Sequence, residues 1–427
     1  MVSTATYVQA QGSLSPPGAP APTMKTLQQI EPRTPLESGS PGVSIDPSGT
    51  IIISQSGSYY LTEDLTVSSG NGITINASGV TVDLRGFTIR STLADSASSG
   101  IDINAARVSI YNGHIESGTT YIGGSGDQYT GPGFDYGILA GVSSNGEICI
   151  RDISVVGCDK SGIYIGSEDS LVESCTVKIV GIIGIRAGIV NQCTANTCGS
   201  TAIAGISVND CSGKSTGSDG IQADMVANSY GYTSSASADG ISAYGIVQNS
   251  YGRSSGGYGI YAGRTVQNSY GRSSSGGGIR SNGTVSDSYG YTYSGSASAD
   301  GIYAARTVQN SYGESTRGDG IRSEGTVSDS YGLTYGTATG NDGILSQGTV
   351  ANSYGLTTGT ATSSDGIHSY WTVQNSYGKS AGGNGIFTQV VSYSRGNSSG
   401  ADGINASLAV GCTSVGGENI GNKYLMP

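Results

Sequence analysis

Of the 427 residues, 71 are glycine, 27 are tyrosine and only 12% are charged, against three phenylalanines and one tryptophan. Twenty basic against 31 acidic side chains leave a formal charge of −11, which argues against a nucleic-acid partner, because neutralising phosphates needs clustered Lys and Arg. Gly and Pro make up about a fifth of the chain, short of the roughly 25–30% that marks low-complexity disorder. No run of about 18 apolar residues is present to span a membrane.

In chain order, residues 1–23 are rich in Pro, Ala, Ser and Gln and read as a disordered leader. Val8-Gln9-Ala10 looks like the end of a secretion signal, without the apolar stretch that normally precedes one. Residues 24–60 are expected to form an N-terminal cap, with Met24–Ile30 as a short helical plug. The reason is physical: the open end of a stack of strands exposes unpaired backbone groups.

Beyond the cap the chain is repetitive. Gly-Ile pairs stand at Ile73, Ile101, Ile138, Ile163 and Ile185, with Ala202-Ile203 as a variant, and recur from Ile221 through Ile404. From Val226 a second signal joins them: VANSYG at Val226 and Val350, VQNSYG at Val247, Val266, Val308 and Val373, and VSDSYG at Val285 and Val327. Units this short cannot bury a face alone, so neighbours must stack and share a core. Alternation assigns the faces. In Ile221-Gln222-Ala223 the Ile and Ala point inward. In Val226–Gly231 a turn at Asn228 lets Val, Ser and Gly point inward and leaves Tyr230 outside.

The segments Ser58–Leu61, Gly72–Ile75 and Val80–Phe87 resemble the first coils of secreted bacterial proteins of the pectin-lyase-like superfamily. That resemblance implies a single-stranded right-handed parallel β-helix over residues 61–410, followed by a cap or tail at 411–427. Sixteen Ile starts correspond to about 15–16 coils and a rod roughly 70 Å long at about 4.8 Å per coil. The resemblance also implies secretion or a cell-surface location. It does not specify activity, because the same fold carries lyases, hydrolases and adhesins.

Four groups of residues are candidates for function. Tyr230, Tyr251, Tyr270, Tyr289, Tyr312, Tyr331, Tyr354 and Tyr377 form an outward ladder, one ring per coil, which suits glycan binding or association with further copies; mutual stiffening of the rings is the competing reading. Asp219, Asp239, Asp300, Asp319, Asp342, Asp365 and Asp402 precede Gly-Ile pairs. Asp300, Asp319, Asp342 and Asp365 could line up Ca²⁺ ions, but each Asp capping its own Asp-Gly turn is the expected arrangement, so no cofactor is expected. Asp102, His114, Asp127 and Asp135, in and around the long insertion 116–136, are the candidates for a polysaccharide lyase or glycoside hydrolase. Seven cysteines cannot all pair, and Cys175, Cys193 and Cys211, 18 residues apart, are expected as a ladder of buried free thiols. The resulting expectation is a secreted, rigid, non-enzymatic scaffold whose partner is extracellular glycan or itself.

Overall fold

The structure is a computed structural model that describes Val2 and residues 33–94, 98–123, 128–141, 146–293 and 299–424. Among the described residues there is no helix. Parallel strands stack coil on coil into a β-solenoid of about 17 turns, about 80 Å long at the usual strand spacing.

Each regular coil contributes one strand to each of three faces. Face 1 carries the Gly-Ile strands, such as Ile260–Ala262, Ile279–Ser281 and Ile302–Ala304, paired Ile to Ile. Face 2 carries the valine strands, such as Thr265–Gln267 and Thr284–Ser286, paired Val266 to Val285. Face 3 carries the tyrosine strands, such as Tyr270–Ser273 and Tyr289–Thr292, paired Tyr to Tyr and Gly to Gly. Alternation places Ile260, Ala262, Val266, Gly271 and Ser273 inside, and Tyr261, Gln267 and Tyr270 outside. The inward Ile and Val columns are fully buried. Burial of each such side chain contributes roughly 2 kcal/mol.

Face 2 turns into face 3 through a single residue in the left-handed region. Asn228, Asn249, Asn268, Asp287, Asn310, Asp329, Asn352 and Asn375 hold φ between 46 and 51°. Asn and Asp tolerate that conformation better than other residues with a Cβ, which explains their recurrence there. The next residue, Ser, folds back inward. Its hydroxyl donates to the carbonyl two residues earlier and accepts the amide of the equivalent Ser one coil before, as Ser250 does with Gln248 at 2.7 Å and Ser229 at 3.2 Å. Cys175, Cys193 and Cys211 occupy this column in the earlier coils, where the Cys193 and Cys211 sulfurs accept amides at 3.4 Å. All seven cysteines are free, and burial pushes the Cys158 and Cys198 thiols far above the usual range.

Stacking runs one coil further at each end than the Gly-Ile register. Ile51–Ile53 pairs with Ile73–Ile75, and Glu418–Ile420 lies beside Ile404–Ala406. Neither added strand begins with Gly-Ile, so the repeat does not mark them. The first coil is covered by Val43–Ile45, antiparallel to Ile51–Ile53, and by Thr34–Pro35 on Tyr59–Tyr60, with Leu36 buried. The Met24–Ile30 segment lies outside the described residues.

Candidate ligand-binding trough and carboxylate row

At the corner between faces 2 and 3, the left-handed turn makes a concave channel. It is an open trough of about 1760 Å³ that runs along ten coils, from Asp210 to Arg395. One wall is the exposed Asn and Asp column, in which Asn amides bond from coil to coil: Asn249 Nδ2 to Asn228 at 3.1 Å and Asn268 Nδ2 to Asn249 at 2.8 Å. The floor is the serine column, whose hydroxyls are already engaged. The other wall is the tyrosine ladder.

The tyrosine rings lie 4.8–5.2 Å apart, and from Tyr251 to Tyr377 the planes of successive rings are 6–29° apart. Parallel rings that close cannot lie side by side, so their faces overlap. The stack thus uses up most of the ring faces and leaves ring edges along the channel, while the Tyr289 and Tyr312 hydroxyls turn to a residue further along face 3 that does not line it. Tyr289 and Tyr312 both donate to Glu314 Oε2, at 2.9 and 3.1 Å. Burial, before that contact, raises both phenols.

The aspartate row occupies the corner between faces 3 and 1. From Asp219 to Asp365 the Oδ1 accepts an amide from the following coil rather than from its own turn: Asp300 from Asp319 at 2.9 Å, Asp319 from Asp342 and Asp342 from Asp365 at 2.7 Å. The expected cap is therefore an inter-coil clamp, because stacked parallel backbones bring the next amide closer than the residue's own turn. Asp300 to Asp365 are all buried. Burial pushes Asp300 up to about 6, and burial plus the flanking carboxyls raises Asp319 and Asp342 well above the usual carboxylate range. Asp239, bonded to the Tyr258 amide at 2.7 Å, is pushed up to about 7, mainly by burial. Arg280 and Arg322 approach Asp300 and share a small cleft with it.

The candidates around the insertion do not converge. Asp102 stands on face 1, bonded by Asn104 Nδ2 at 3.1 Å, whereas His114 is exposed on face 3, beside Thr88 and Ser154. Asp135 is paired with Lys160 Nζ at 2.9 Å, and Asp127 lies outside the described residues. The insertion itself forms a hairpin, Thr120–Ile122 against Gln128–Thr130, and Tyr129 lies within hydrogen-bonding distance of Thr216 at 3.1 Å, several coils away. It lies across the solenoid as a strap.

Two features escaped the sequence reading. His368, on the outer column of face 1, reaches Asp342 and Asp365, the first a full coil earlier in the chain. Trp371 and Tyr370 are 62% and 53% exposed and form a shallow aromatic patch with Gln347 and Gln389. The signal for the patch was present, since the chain's only tryptophan falls in the turn after a Gly-Ile strand.

Comparison with protein-family models, with curated proteins and with solved structures finds no match to this chain. Architecture alone places it among parallel β-solenoid repeat proteins.

Proposed function

We propose that the protein is a secreted, rigid, non-enzymatic scaffold that binds an extended glycan along the channel between the Asn and Tyr columns. The channel itself carries this reading: it is long and repetitive, with an Asn or Asp side chain at nine of its ten coils and a tyrosine ring at eight. A polymer with a regular spacing of hydroxyls is the ligand class that such a lining complements. Recognition then rests on hydrogen bonds from the Asn and Asp side chains and from tyrosine hydroxyls such as those of Tyr270 and Tyr354, rather than on sugars stacked on ring faces. The exposed aromatic patch at Trp371 and Tyr370 adds a face-on platform near one end. Secretion and membership of the pectin-lyase-like superfamily are part of the proposal and rest on the resemblance of the first coils.

Self-association is the second reading, favoured by exposed Ile189, Met225 and Ile246 on face 2. The lyase or hydrolase reading has no comparable support, since Asp102 and His114 stand on different faces.

The test is affinity electrophoresis and co-sedimentation with cellulose, chitin, xylan and mannan. Tyr270→Ser with Tyr312→Ser removes rings and hydroxyls, whereas Tyr270→Phe with Tyr354→Phe keeps the stack and removes hydroxyls. Both pairs are expected to weaken retention of at least one polymer while circular dichroism stays native. Unchanged retention in the serine pair refutes channel binding. Analytical ultracentrifugation of the same proteins reads out self-association separately.

A further inference from the structure

We propose that Asp342, Asp365 and His368 form a binding site for a divalent first-row transition ion of the Zn²⁺ type. His368 Nδ1 lies 3.4 Å from Asp342 Oδ2 and 3.6 Å from Asp365 Oδ2, and one donor atom from each residue falls within 4.8 Å of the others. Those separations exceed a good hydrogen bond. They fit an ion bonded to imidazole and carboxylate at about 2.1 Å, for which tetrahedral ligand atoms sit about 3.4 Å apart.

The donors are set in place by the fold. Asp342 and Asp365 side chains are 3% and 6% exposed, and their Oδ1 atoms are held by the amides of Asp365 and Asn384, so both Oδ2 atoms are the ones turned toward the histidine. The imidazole is fixed between Tyr370, stacked at 5.0 Å, and Phe387, edge-on at 4.8 Å. His368 retains 22% exposure, which opens the site on one side to an entering ion and to a water ligand.

Charge balance along the row supplies an independent argument. Toward the N-terminus, the guanidinium groups of Arg280 and Arg322 face Asp239, Asp300 and Asp319. At the Asp342–Asp365 end, the same outer column supplies Leu345 and His368 instead. A divalent cation would do there what the arginines do in the preceding coils. Ca²⁺ is the poorer match, since it prefers six to eight oxygen ligands, whereas a nitrogen and two carboxylates suit Zn²⁺ or Co²⁺.

Calorimetric titration with Zn²⁺ and absorption titration with Co²⁺ test the site on the full chain. One equivalent is expected to bind, with visible Co²⁺ bands, no thiolate charge-transfer band, and quenching of the single tryptophan, Trp371, three residues from His368. His368→Gln and Asp342→Asn should each weaken binding by at least about tenfold, and His114→Gln should leave it unchanged. His368→Gln alters only an outer-column residue, a position that Arg, Tyr and Leu also occupy, so its fold is expected to survive. No ion uptake, uptake indifferent to His368→Gln, a thiolate band, or displacement of Zn²⁺ by an equal concentration of Ca²⁺ would each overturn the assignment.

Discussion

Asp239 shows how a single half-buried carboxyl couples this stack to pH. Its folded pKa, about 7, lies above the ordinary aspartate value of 3.8, so the folded state holds the proton more tightly than the unfolded state does. The stability it contributes is complete below about pH 4 and is lost as pH rises through about 7. Asp300, pushed up to about 6, acts in the same direction. Asp239→Asn keeps an oxygen to accept the Tyr258 amide and removes the charge. Thermal unfolding between about pH 4 and 8 should show the variant gaining on the wild type as pH rises, by on the order of 2 kcal/mol at the upper end. Parallel stability curves for the two proteins would show that Asp239 is not the group responsible. The left-handed Asn and Asp turns, in contrast, were legible in the sequence, because few other residues accept that backbone conformation and they recur at one position in every regular coil.

At the scale of the strand, the tyrosine element depends on the residue that follows each ring. Gly271 has an ordinary negative φ, yet a Cβ there would meet the Gly278 carbonyl oxygen at 2.3 Å and Ile279 Cγ1 at 2.6 Å. Face 3 thus packs its backbone directly against the turn into face 1, which is why the VQNSYG unit ends in glycine. Gly271→Ala is expected to cost about 3 kcal/mol or more, because both obstacles are held by the next coil and cannot step aside. Urea unfolding measures it; a loss under about 1 kcal/mol would mean that the two faces can part. The Ser and Cys columns belong to the same scale. Their inward direction followed from alternation, but the amide-to-hydroxyl bonds between coils did not, because no sequence pattern states which amide lies within reach of which hydroxyl.

For the molecule as a whole, each coil touches mainly the coils before and after it, so stability accumulates by neighbour terms and register is local. Deleting residues 302–320 joins Gly301 to Ile321 and removes one complete coil. That protein should fold with native circular dichroism and a melting temperature within about 5 °C of the parent, and should keep a channel one coil shorter. Deleting 302–311 removes half a coil and brings face 3 strands under face 1, so it is expected to disrupt folding. If both deletions behave alike, coil register is not what organises the fold. The ends obey the same logic: Val43–Ile45 covers the first coil with antiparallel pairing, which blocks the addition of a further parallel strand there.

The period, the inward Ile and Val columns, the outward tyrosines and the buried cysteine ladder were all fixed by sequence alone, because alternation along a strand decides the side of each residue and repetition decides that coils stack. Tertiary structure decided what happens between coils. It turned the tyrosine faces against one another and exposed their edges. It routed the aspartates from Asp219 to Asp365 to the next coil's amide, and it set His368 beside a carboxylate a full coil away. Those outcomes depend on the lateral offset and corner geometry of adjacent coils, quantities that the order of residues within one coil does not encode.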